Sequence, residues 1–293
     1  MVKNFTLSII FLLAAVVLPA QEEPPLRIFK DTRVINTHSV EVLQKRKLDI
    51  RIGHRFGDLA GDNGGWANFY GLENAADVMI GAEYGVTDRL TAGLYRSKGA
   101  GDLRALINPF LKYRFVAQEE KGAPVSLTAL TLGTISTTQR NPDSPGVNSF
   151  PKFSHRMAYA LQVMLARRFN DRLSLQIIPS FTHRNLVSFE DTNDVFSMGM
   201  AGRVQLTKVI AFVADFTLPL NGLQSPFQDD PEGFEYYPAL GIGLEWDTGG
   251  HVFQLNLTNA EGIMETDYIP NTTTNWLDGE FRFGFTISRM FNL

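Results

Sequence analysis

The chain has 293 residues, 44% of them hydrophobic and 20% charged, with a formal net charge of -4 and no cysteine. Its mean hydropathy of -0.07 is far below that of a helical membrane protein. The acidic balance argues against a nucleic-acid partner, which a basic face would mark. The lack of cysteine excludes disulfides, thiolate metal sites and an N-terminal lipid anchor.

Residues 1–20 read as a secretory signal peptide. Lys3 gives the positive start, Leu7 to Val17 the apolar run, and Pro19-Ala20 a cleavage point before Gln21. The run is too short to cross roughly 30 Å of hydrocarbon as a helix. Residues 21–46 are polar, with Pro24-Pro25 and a basic Lys45-Arg46-Lys47 cluster. They are expected to form a periplasmic lead-in that could meet a periplasmic partner; folding into the lumen as a plug is the alternative.

From Lys47 onward the period is two. Val78, Ile80, Ala82, Tyr84 and Val86 share one face, with Asp77, Met79, Gly81, Glu83 and Gly85 on the other. Leu173 to Arg184 separates as cleanly. Runs of about ten residues are what a tilted strand needs to cross a bilayer. The pattern predicts an all-β fold, an antiparallel transmembrane β-barrel of about 12 strands. The expected spans are 47–57, 77–86, 89–97, 104–117, 124–137, 154–169, 172–184, 194–207, 209–218, 235–246, 251–258 and 279–293. The connections alternate long and short without a break. Short periplasmic turns and long external loops are the plan of an outer-membrane barrel, and an even strand count returns both ends to the periplasm.

The last strand places Phe281, Phe283, Phe285, Ile287, Phe291 and Leu293 on one face, interrupted only by Arg289. A terminal amphipathic strand of this kind suits recognition by the barrel-assembly machinery.

If the apolar set meets outer-membrane lipid, the other set lines the lumen. Its charged members are Arg51, Arg55, Asp77, Glu83, Arg104, Lys112, Arg114, Arg156, Arg203, Asp215, Glu245, Glu280 and Arg282. An Arg or Lys on the lipid side would cost roughly 2–4 kcal/mol at mid-depth, so an inward position is expected. Mixed signs can cross-link a narrow barrel or make a polar pore; the first is favoured. Trp66, Phe69, Tyr70, Tyr236, Tyr237 and Trp246 suit interface girdles.

Candidate chemistry is thin. His54, His155 and His183 fall near external strand ends on the lipid-facing set, where a lipid-acting barrel enzyme would hold a histidine. None has the following serine and asparagine pattern, so they read as interface residues and no enzyme is expected. Asp58, Asp62 and Asn63 lack the alternation of a calcium loop, and Asp229, Asp230 and Glu232 read as solvated loop charges. No cofactor or metal is expected. The Gly61–Gly65 cluster opens no helix and so is no phosphate loop.

Ile35-Asn-Thr-His-Ser-Val-Glu41, His54-Arg-Phe-Gly57, Glu83-Tyr-Gly-Val-Thr-Asp-Arg-Leu90 and Leu94-Tyr-Arg-Ser97 together resemble a family of Gram-negative outer-membrane barrels known as a domain of unknown function. The resemblance implies a barrel in the outer membrane over essentially the whole mature chain. It carries no activity. The expected function is a narrow, charged channel or transport-related, porin-like barrel; the alternative is a closed barrel that scaffolds loops or docks a partner. A lipid-acting enzyme is the third reading.

Overall fold

A computed structural model describes residues 25–143, 147–187, 191–228 and 235–293. The expected signal peptide lies outside them, as do Asp229, Asp230 and Glu232.

Twelve strands form one closed barrel: β1 (Lys47–Asp58), β2 (Ala75–Gly85), β3 (Leu90–Ser97), β4 (Leu106–Val116), β5 (Ser126–Ser136), β6 (Met157–Arg168), β7 (Leu173–Arg184), β8 (Asp194–Gln205), β9 (Ile210–Pro219), β10 (Ala239–Asp247), β11 (His251–Thr258) and β12 (Arg282–Asn292). Each strand pairs with its sequence neighbours, and β1 closes on β12 in antiparallel register from Lys47↔Asn292 to Arg55↔Gly284. Closure leaves no strand edge, so the backbone satisfies its own hydrogen bonds wherever lipid surrounds it. No helix among the described residues is long and apolar enough to cross a membrane.

One rim carries the short turns together with the start of β1 and the end of β12; the other carries the long loops. The sequence pattern over-extends several strands at the long-loop rim, for local reasons. Ala105 takes a left-handed φ of 54°, so β4 begins at Leu106. Residues Phe153–Arg156 form a 3-10 turn, so β6 begins at Met157. Residues 259–270 fold inward, with a short helix α1 (Glu265–Asn271), and a 3-10 turn at Trp276–Asp278 follows at the rim, so β12 begins at Arg282.

The outer face is apolar and exposed, as a lipid-facing surface must be. Ile80 is 52% exposed, Leu94 54%, Leu161 50% and Leu255 54%. On β12, Phe283, Phe285 and Ile287 alternate with the buried Arg282, Gly284 and Ser288, while Phe281 and Leu293 flank the strand and Phe291 is exposed. The expected phase of the last strand is visible from Arg282 to Ser288, and its final four residues are exposed on both faces.

The N-terminal segment departs from expectation. Residues 28–43 are buried, apart from the half-buried Lys30, and lie inside the barrel. The segment is a plug and not a periplasmic lead-in. Its two ends sit at the short-turn rim: Leu26 N donates to Gln118 O (2.8 Å) in the β4–β5 turn, and Arg46 N to Gly85 O (2.9 Å) at the end of β2. Between them the chain rises into the lumen and turns back through a bridge between Arg33 and His38.

Candidate functional site

Most of the charged residues expected on the lumen side do point inward. Arg51, Arg55, Asp77, Glu83, Lys112, Asp215, Glu245 and Arg282 are buried, and Arg203 is nearly so. Arg114 stands at the short-turn rim, half-buried, and donates to Asp88 O (3.0 Å). Three positions are corrected. Arg104, Arg156 and Glu280 belong to the long-loop rim because their strands begin later than the pattern suggested. There Arg104 donates to Gly99 O (2.6 Å), Arg156 to Ser136 O and Thr138 O, and Glu280 accepts from Asn275 N (2.8 Å).

Five of these wall charges, Arg51, Arg55, Glu83, Lys112 and Asp215, are partnered by the plug. Asp215 Oδ2 accepts from three successive amides, Ile35 N (2.9 Å), Asn36 N (2.6 Å) and Thr37 N (3.1 Å), while its Oδ1 accepts from Asn36 Nδ2 (2.7 Å). A carboxylate in such a nest makes charge-assisted bonds, stronger than neutral ones. Lys112 Nζ does the converse, donating to the carbonyls of Thr32 (3.0 Å), Ser39 (3.2 Å) and Glu41 (3.0 Å). Arg51 pairs with Asp31 and with Asp49 (3.0 Å), and Glu83 accepts from Thr32 Oγ1 (3.0 Å) and from Tyr95. Gln176 bonds Val40 N (2.6 Å) and His38 O (2.9 Å), and Thr128 bonds Val40 O (2.8 Å). Arg55 reaches Asn36 Oδ1 (2.6 Å) at the tip. An irregular segment can lie buried only if its amides and carbonyls find partners; here the wall side chains supply them.

A polar lumen was expected, yet part of the inner wall is apolar. Phe110, Leu130, Leu132, Met164, Ile178 and Val213 form one cluster with plug residues Ile28, Phe29, Val34, Ile35 and Val40. Period-two patterning misses this, since strands apolar on both faces lose their alternation. Gly241 shows how closely the plug fits. A Cβ there would lie 2.7 Å from Ile35 Cγ2 and 2.9 Å from Asp215 Oδ1.

The long-loop mouth is closed from the other side. Residues 260 and 263–269 are buried, and α1 packs against β6, β7 and β9. Arg33 joins the two inserts: it donates to Ile263 O (3.0 Å), lies 2.8 Å from His38 Nε2, and stands 3.6 Å from Glu265. Asp267 accepts from Ala100 N (2.8 Å) and Gly101 N (2.7 Å), and burial together with nearby Asp77 pushes its carboxyl up to about 7. His38, Arg33 and Glu265 escaped the sequence reading because nothing local marks a polar segment as interior.

The remaining candidates stay outside the lumen. His54 stacks on Phe285 (5.6 Å between ring centres) on the outer face. His183 pairs with Asp194 (2.6 Å) beside Tyr159, and His155 lies on the 3-10 turn before β6. Trp66, Phe69 and Tyr70 cluster edge-on at the long-loop rim, and Trp246 lies at the opposite end of the barrel. Phe69 and Tyr70 hold left-handed φ values of 46° and 54°, rare for bulky residues. Asp58, by contrast, points in and accepts from Gly61 N and Asn63 N (3.1 Å each), a loop-closing role. No group of three potential metal ligands occurs among the described residues.

Among solved structures, the barrel is similar to a NanC porin, with a TM-score of 0.48 at 11% identity, covering 84% of this chain and 100% of that one. A KdgM porin gives 0.49 at 6%, covering 84% and 99%, and LpxR from Salmonella typhimurium 0.37 at 11%, covering 84% and 100%. No curated protein matches the chain. A family model described as a membrane bound beta barrel domain, DUF5777, matches residues 29–291, from the plug through the last strand. The chain therefore belongs to this family of membrane-bound β-barrels, and the plug lies within the matched region.

Proposed function

We propose that this chain is an outer-membrane β-barrel that rests closed, a scaffold sealed by its own N-terminal segment. The observation that carries the reading is the plug held on Asp215 and Lys112 against an apolar wall. Exposing the five apolar plug side chains would cost on the order of 10 kcal/mol at about 2 kcal/mol each. Thermal opening is then negligible, which favours the closed barrel over a standing channel. Export by a cleaved signal would set the short turns in the periplasm, with the β12 face read by the barrel-assembly machinery. The long loops would then meet the outside, and the ends of the plug segment, Pro25 to Arg27 and Gln44 to Arg46, would be reachable by a periplasmic partner. No catalysis is assigned.

The test is conductance of the purified full-length protein in a planar bilayer, after a heat-dependent gel shift has confirmed folding. The expected record is flat. Discrete, ion-selective steps from the unaltered chain would end the closed reading. One observation favours a removable plug: both ends of the segment emerge at the same rim, so it can be withdrawn without threading. On that second reading, Asp215→Ala and Lys112→Met give transient openings. Continued silence from both folded variants would sink it.

A further inference from the structure

Where the plug leaves the barrel at the short-turn rim it leaves a water-facing cavity of about 250 Å³. Its walls come from the plug at residues 27–30, from the β6–β7 and β8–β9 turns, and from the inward side chains near the ends of β7, β8 and β10. Six cations line it, Arg27, Lys30, Arg168, Arg172, Arg203 and Lys208, against two carboxylates, Asp171 and Asp247. In a chain whose net charge is -4, such a concentration of positive charge runs against the whole.

Part of that charge is already neutralised. Lys30 pairs with Asp247 (2.5 Å), Arg168 with Asp171 (2.6 Å), and Arg203 with Glu245 (2.8 Å) behind the wall. Arg27 donates to the carbonyls of Phe29 and Lys30 and makes no direct ion pair among the described residues, with Asp31, Asp247 and Glu245 near enough to offset its charge only in part. Arg172 and Lys208 form no ion pair among the described residues. Like charges converging on a concave surface repel one another and raise the local potential for an anion. Guanidinium groups favour oxyanions, because their planar fork can bond two oxygens at once.

We propose that this vestibule is a binding site for a soluble oxyanion bearing phosphate or carboxylate groups, with Arg27, Arg172 and Lys208 as its principal contacts. The lining residues are inward-facing or on turns, so the occupant comes from water and not from the surrounding lipid. The site goes beyond the closed-barrel reading and does not depend on it, since it needs neither an open lumen nor a particular orientation. Arg27, Ile28, Phe29 and Lys30 of the plug are among its lining residues, so an occupant touches the plug itself.

The experiment is a titration of the full-length protein in detergent with inorganic pyrophosphate, with citrate as a carboxylate arm, at low salt. Saturable binding is expected, roughly tenfold weaker in the double variant Arg172→Glu/Lys208→Glu, because each reversal replaces an attraction by a repulsion. Arg140→Glu, an exposed charge on the long-loop rim, should leave the affinity unchanged. The substituted positions are exposed turn residues, and the heat-dependent gel shift verifies that each variant is folded. Absence of saturable binding to either anion would overturn the site. So would an equal loss in Arg140→Glu, which would mean diffuse attraction to any positive surface.

Discussion

The inner wall of this barrel has two kinds of surface, and they hold the same plug by different physics. Around β12, β1 and β2 the wall is charged: Arg282, Asp49, Arg51, Arg55, Asp77 and Glu83 are all buried there. Across β5, β6 and β7 it is uncharged at mid-depth, with Leu130, Leu132, Ala160, Met164 and Ile178 set among neutral polar side chains such as Thr128 and Gln176. The apolar side supplies area removed from water, which is strong but indifferent to register. The polar side fixes which plug residue sits where, because a misplaced buried charge is costly. A segment without regular secondary structure needs both, as the few hydrogen bonds within it, such as Val34 N to Thr37 O (2.8 Å) and Ser39 N to Thr32 O (2.9 Å), leave much of its backbone to the wall. The same contrast explains why the lumen is filled. A wholly charged wall would hold water, whereas a half-apolar wall is more stable when covered.

Substitutions at three positions would break or sharpen that contrast, in falling order of effect. Asp215→Ala strips the acceptor from three plug amides and should destabilise the folded barrel by roughly 3–5 kcal/mol, read as a lower midpoint in denaturant-dependent unfolding. Asp215→Asn should cost clearly less, since an amide oxygen still accepts; equal losses for the two would mean that the carboxylate charge is what matters. Leu130→Ala, on the apolar side, should cost about 2–4 kcal/mol through transfer and cavity terms, with the plug register retained. If proteolysis then cuts residues 28–43 as readily as in Asp215→Ala, packing and not polar bonding is what orients the segment. Gly241→Ala should cost about 1–3 kcal/mol by overpacking, since its Cβ would press on Ile35 and Asp215. A neutral result would show that the plug yields by a few tenths of an ångström at that point.

Much of this was legible in the sequence. Alternation fixed twelve strands, their order and the phase of their faces, because lipid on one side demands an unbroken apolar set at every second residue. The alternation of long and short connections told the two rims apart. Alternation says less about where a strand ends, and it puts Arg104, Arg156 and Glu280 on the wall for that reason. What ended those strands was a left-handed Ala105, a 3-10 turn and an infolded loop, none of which the side-chain pattern encodes.

Local sequence therefore determined the barrel, since a strand's two faces are a property of ten residues and the solvent on each side. The tertiary structure alone decided what fills it. Residues 28–43 are polar enough to read as a solvated arm, and their burial depends on partners far away in sequence, with Asp215 some 180 residues from Ile35. No local period can announce such a match, because each half of it lies in a segment that is ordinary by itself.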